Sequence, residues 1–92
     1  MNNFEKLVNT LTEYSKINLT LRELETDFNE LYLDSDYDFT DEQVDFLENI
    51  NTDIGYTGKE PYTKEDKAVG LFTEDQLREK IKNYLRDLAI AA

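Results

Sequence analysis

Apolar residues recur along this chain at helical spacing, in separated runs. Over residues 3–33, Leu7, Tyr14, Leu21 and Phe28 follow one another every seven positions, and Thr10, Ile17, Leu24 and Leu31 form a second series offset by three. Every member but Thr10 is apolar, the pattern of a narrow seam on one long helix. Such a helix would reach about 45 Å at a rise of about 1.5 Å per residue. A second reading breaks the chain near Asn18. There Thr20-Leu21-Arg22-Glu23 forms a capping box, while Ile17, Leu19 and Leu21 alternate as in a short extended link. The heptad phase carries across the junction, so the spacing favours helix throughout, with a kink near Asn18.

The next run is bounded more sharply. Thr40 to Gln43 is a second capping box, followed by Val44, Leu47, Ile50, Asn51 and Ile54 on one side of a helix expected over 41–53, with Gly55 as its stop. Residues 55–63 hold two of the three glycines and the single proline, and form the main loop. From Thr63 a short helix is expected through Val69, ending at Gly70. Thr73-Glu74-Asp75-Gln76 opens the last helix, expected over 74–88, whose Leu77, Ile81, Tyr84, Leu85 and Leu88 gather on one side. Arg78, Lys82 and Arg86 lie along its flank and read as a solvated face. The terminal Ala-Ile-Ala-Ala is expected to fray. The fold class is therefore all-α: one small helical bundle over residues 1–92. Its long N-terminal seam would suit a second copy of the chain, a homodimer.

Charge changes this picture more than composition does. The net charge is −11, and all of it resides in residues 22–53, where twelve acids stand against Arg22 alone. Residues 1–21 and 54–92 each balance to zero. On a continuous helix Glu23, Asp27, Glu30 and Asp34 step by four, three and four, which sets successive carboxylates roughly 4.5–6 Å apart along the axis. Asp41, Asp45 and Glu48 repeat the device on the following helix, and Asp34, Asp36 and Asp38 join the two rows. Like charges one turn apart cost a helix a few tenths of a kcal/mol each. Solubility alone would let the charge lie anywhere; its confinement to one block points to a positively charged partner. Tyr32, Tyr37, Phe39 and Phe46 lie among the acids, and a ring beside a carboxylate suits an arginine. For Phe39 and Phe46 core packing is the stronger reading, which leaves Tyr37 as the contact residue. The expected partner-binding set is thus Glu23, Asp27, Glu30, Asp34, Asp36, Tyr37, Asp38, Asp41, Asp45 and Glu48.

Candidate chemistry is limited by what the chain lacks. With no cysteine and no histidine, it has no disulfide, no thiolate metal site and no triad of the usual kind. Its carboxylates crowd onto expected exposed faces, where nothing perturbs them toward acid–base work, so an enzyme is not expected. Asp34, Asp36, Asp38, Thr40 and Asp45 occupy ligand positions of an EF-hand calcium loop, but Phe39 stands where the turn needs glycine, Asp41 where an aliphatic residue belongs, and Asp45 is shorter than the usual glutamate. Gly55-Tyr56-Thr57-Gly58-Lys59 lacks the spacing of a phosphate loop. No cofactor and no metal are expected. No apolar run nears the roughly 18 residues of a membrane span, and no signal pattern opens the chain, so the expected setting is the cytoplasm, including that of an infected bacterial host.

In size, charge and clustering of sign the chain is similar to small acidic inhibitors carried by phages and mobile elements, among them anti-CRISPR and antirestriction DNA mimics; no motif carries the likeness. It implies an anti-defence factor whose acidic face fills a basic, nucleic-acid-binding groove on a nuclease or effector complex, without binding nucleic acid or membrane itself. An immunity protein or antitoxin facing a basic toxin would need the same physics. A weak calcium-binding module is the reading from another class.

Overall fold

Each helix of the structure starts at an asparagine or threonine whose side-chain oxygen accepts a backbone N–H three residues on. Asn2 accepts from Glu5 at 2.8 Å, Thr20 from Glu23 at 3.2 Å, Thr40 from Gln43 at 3.2 Å, Thr63 from Asp66 at 3.1 Å and Thr73 from Gln76 at 3.1 Å. In the four threonine cases the third residue's side chain returns the bond to the threonine N–H. Each such closure satisfies N–H groups that no earlier carbonyl can reach, and is worth about 1 kcal/mol.

The computed structural model describes residues 2–33, 39–58 and 63–91. The caps open five α-helices: α1 (Asn3–Ser15), α2 (Leu21–Phe28), α3 (Asp41–Gly55), α4 (Lys64–Ala68) and α5 (Glu74–Ala91). A π-helical turn, Asn29–Leu33, continues α2. Among the described residues there is no strand; one parallel bridge, Thr57 to Phe72, ties the end of α3 to the start of α5. The all-α bundle read from the pattern is the fold observed. Two limits move outward, α3 running on to Gly55 and α5 to Ala91.

The N-terminal segment departs from the favoured expectation: it is two helices, not one. α1 stops at Ser15. The Asn18 N–H reaches back to the Glu13 carbonyl at 2.9 Å and the Ile17 N–H to Tyr14 at 3.0 Å, with Ile17 in the left-handed region at φ 64°. These are the two bonds of a Schellman stop. Thr20 then restarts the chain, and α2 folds back along α1. The Thr10 hydroxyl donates to Asp27 at 2.8 Å and the Asn3 amide to the Leu31 carbonyl at 3.1 Å, pairs whose numbers run in opposite directions, as in an antiparallel hairpin. One helix of about 45 Å would exceed the longest dimension of the molecule, 40 Å. The heptad phase misled because both arms face the same core. Leu7, Leu11 and Tyr14 from one arm and Leu21, Leu24 and Phe28 from the other are buried, whereas Ile17, the seam residue at the junction, is 71% exposed.

α1 is the central strut, packed by α5, α2 and the π-helical turn, and α3 packs against α5. Leu47, Ile50 and Ile54 of α3 and Leu77 and Ile81 of α5 complete the core. At one end rings meet edge to face. Phe4 lies against Phe46, and Phe46 against Tyr84. Tyr32 joins Phe28 to Phe39. Phe39 and Phe46 are thus packing residues, as their stronger reading held. No helix is long and apolar enough to cross a membrane among the described residues.

The same stop occurs at the end of α4, where Gly70 at φ 84° bonds to Lys67 at 3.1 Å and Leu71 to Asp66 at 3.0 Å. There the left-handed residue is glycine, with no side chain to clash; at Ile17 it is β-branched, at a cost of about 1–2 kcal/mol. Ile17→Gly should therefore raise stability by about 0.5–1 kcal/mol after the added chain entropy of glycine, a gain of roughly 4 °C in Tm. Gly70→Ala has open space for its Cβ but should cost about 1–2 kcal/mol through φ alone. Thermal melts of the two variants measure both.

Candidate protein-binding surface

α3 presents the acidic block most directly. Asp41, Asp45 and Glu48 fall within one arc of the helix, all three exposed, on the side away from Leu47, Ile50 and Ile54. Asp41 and Glu42 also lie in the first turn, where the positive end of the helix dipole favours them. Glu48 is held in place by the Tyr32 hydroxyl, which donates to its Oε1. That contact, with the Tyr32–Phe39 ring pair, brings the π-helical turn alongside α3.

The row expected on the preceding helix is divided. Glu23 is exposed and caps α2. Asp27 is half-buried and accepts from Thr10, so its carboxylate serves the hairpin. Glu30 is exposed, but it sits in the π-helical turn. Widening of the helix at Asn29 ends the four-three-four register, because π geometry closes on the fifth residue instead of the fourth. Asp34, Asp36, Tyr37 and Asp38 lie outside the described residues, as does Lys59 of the glycine-rich stretch. Among the described residues no cluster of three or more metal-ligating side chains forms.

The cations of the C-terminal helix answer mainly their own neighbours. Arg78 pairs with Glu74 at 3.6 Å and Asp75 at 3.7 Å, Lys82 with Glu79 at 4.0 Å, and Arg86 with Asp87 at 3.7 Å. Lys80 reaches across to the acidic block, pairing with Asp53 at 3.9 Å. Sequence reasoning placed Arg78 on a solvated flank. Instead its guanidinium lies 4.5 Å from the centre of the Tyr14 ring, and its Nε donates to the Tyr14 carbonyl at 3.2 Å. A partner more than sixty positions away leaves no trace in local spacing.

Three tyrosines share one arrangement that the sequence did not reveal. Tyr14 donates to Glu74 at 3.1 Å, Tyr84 to Asp53 at 2.7 Å, and Tyr32 to Glu48. Burial pushes the Tyr32 and Tyr84 hydroxyls up to about 12, assisted by the carboxylate each one bonds. Burial raises Tyr14 further still, against the opposing charge of Arg78 and with the help of Glu74. A phenolate beside a carboxylate would be doubly disfavoured.

Beside α2 the surface opens into a groove of about 790 Å³. Ile17, Leu19 and Leu21 line one part of it, and Glu23, Glu25 and Glu74 contribute carboxylates. A smaller hollow of about 320 Å³ adjoins it, sharing Glu25 and Asn29 and running to Ile54 at the end of α3. None of this was anticipated, since the groove exists only because the chain reverses at Ile17.

Comparison with protein-family models, with curated proteins and with solved structures finds no match to the chain.

A phenol whose folded pKa is raised contributes stability that is fully present below its unfolded value, near 10, and lost as pH rises through the folded value, near 12 for Tyr32 and Tyr84. Following phenolate absorbance, Tyr14, Tyr32 and Tyr84 should titrate late, and Tm should fall across pH 10 to 12. Tyr84→Phe should remove one of the late phenols from the titration.

Proposed function

We propose that this chain is a binding protein whose acidic face occupies a basic, nucleic-acid-binding groove on another protein and so keeps nucleic acid out of it. One observation carries the reading. The excess of negative charge is confined to residues 22–53, where Glu23, Glu30, Asp41, Asp45 and Glu48 are exposed, while the cations of α5 are largely paired within α5. Helix α3 offers Asp41, Asp45 and Glu48 on a rigid, capped element, so little ordering is required on binding. Carboxylates at one-turn spacing present the sign and approximate repeat of backbone phosphates to lysines and arginines. The work is steric and electrostatic: the face competes for those side chains, speeds encounter and suppresses other partners. A phage- or mobile-element-encoded factor acting against a host nuclease is the setting in which such a face has a use.

The test begins with the immobilised chain and a bacterial lysate. A nucleic-acid-binding protein should be retained, released by a salt gradient because exposed ion pairs are screened, and displaced by duplex DNA. The triple variant Asp41→Asn, Asp45→Asn, Glu48→Gln should keep its helical circular dichroism and bind the released protein about tenfold more weakly, each exposed pair being worth about 0.2–1 kcal/mol. Retention that ignores salt, or an affinity untouched by the triple variant, contradicts the proposal. A retained basic toxin without nucleic-acid-binding function would make the chain an immunity protein instead.

A further inference from the structure

The turn between α1 and α2 is closed at a cost that a straight helix would not carry. Ile17 is held at φ 64°, where β-branched residues are outliers, and its side chain is left in solvent. Between the helices, Lys16 to Thr20 include no residue that resists helical geometry, because the chain has neither glycine nor proline before Gly55. The seven-residue spacing runs through the turn unbroken. Of its eight members Ile17 alone is exposed; the others are buried or, in the case of Leu31, half-buried. The two bonds that join the hairpin arms, Thr10 to Asp27 and Asn3 to Leu31, are both centred within two residues of Ile17.

We infer that this turn is an exchange hinge: α1 and α2 straighten into one helix, and two copies of the chain trade their α1 helices to form a dimer. Short hinges under strain invite such an exchange, because the contacts of the closed form are remade between copies while the strain is not. Each α1 then takes the place of its counterpart against α2, the π-helical turn and α5, the elements it packs on in the single chain. The Thr10–Asp27 and Asn3–Leu31 bonds reform across copies, as does the donation from Arg78 to the Tyr14 carbonyl. Because the arms pair about Ile17, two straightened helices running antiparallel cross there. The two Ile17 side chains meet at the two-fold axis and leave water. Two features oppose the exchange: the Thr20 capping box, which restarts α2, and repulsion between two acidic blocks. α1 adds nothing to that repulsion, since residues 1–21 balance to zero, and salt screens the remainder. The dimer is thus favoured by concentration and by salt. It does not rest on the acidic-face reading, whose contacts weaken as salt rises.

The test is to unfold the full chain in guanidinium and refold it, concentrated, in about 1 M salt, where screening acts within about 3 Å. Sedimentation should show a dimer that persists on dilution, because undoing the exchange requires α1 to leave the core. Ile17→Gly, which relieves the strain in the closed form and disfavours the straight helix, should cut the dimer fraction about tenfold. Asn18→Ala combined with Thr20→Ala removes the restart signal and should raise it several-fold. The chain has no cysteine, so Thr10→Cys and Asp27→Cys chains can be mixed, refolded together and treated with a short bis-maleimide. The dimer fraction should then contain a 10–27 cross-link between chains. No dimer from either the wild type or the Asn18–Thr20 double variant overturns the inference. So does a dimer without that cross-link, which would mean that copies meet through an outer face with α1 still in place. A dimer fraction unchanged in Ile17→Gly would also overturn it, by removing strain at the hinge as its cause.

Discussion

Two backbone hydrogen bonds, from Ile17 to Tyr14 and from Asn18 to Glu13, turn the chain back on itself, and the rest of the molecule depends on that turn. Without it the apolar residues of the first thirty positions would lie along a rod with nothing opposite them. With it, α2 lies along α1, Asp27 finds Thr10, and the Leu31 carbonyl finds Asn3. The hairpin creates the surface on which α5 packs, and α5 in turn supports α3. The groove beside α2 is a by-product of the same reversal. So is the exposure of Ile17, the one position where the turn is made with a strained backbone and an apolar side chain left in solvent.

A small domain with so large a charge imbalance has few ways to remain folded. Burying unpaired carboxylates is not one of them, because each would need a partner or a proton. The observed solution divides the acids by task. Some close helix starts, as Glu23 and Asp66 do. Others accept from tyrosine hydroxyls at the edge of the core, as Glu48, Asp53 and Glu74 do. Others, among them Glu30, Asp41 and Asp45, stay exposed to solvent. Tyrosine suits the second task, because its ring joins the apolar contacts while its hydroxyl satisfies a carboxylate without bringing in charge.

Local grammar was the most readable part of the sequence. The threonine capping boxes at Thr20, Thr40 and Thr73 were visible as short motifs, and so were the helix start at Thr63 and the glycine stop at Gly70, since each involves residues within one turn of one another. The buried faces of α3 and α5 were legible for the same reason: Leu47, Ile50, Ile54, Leu77 and Ile81 fall in step with the helix. Continuity across Asn18 was misread because a seven-residue phase is preserved whether two arms run on in line or fold together. The Thr20 box was the better signal, as it gives the chain a local reason to restart. At Asn29 the widening to π geometry has no sequence marker, and it divides the expected row of Glu23, Asp27 and Glu30. Contacts such as Tyr14 with Arg78 or Tyr32 with Glu48 depend on which helices become neighbours, which spacing along one helix does not encode.

The bridge between Thr57 and Phe72 closes the chain at a neck, with Gly58 bonded to Phe72 and Phe72 to Tyr56, both at 2.8 Å. α4 lies beyond that neck, has no buried residue and ends at an exposed Val69. It is a handle on the bundle more than a part of it. Evolution can lengthen, shorten or exchange such an appendage while the core stays as it is, and a fluorophore or affinity tag could be carried there at little risk to the acidic face.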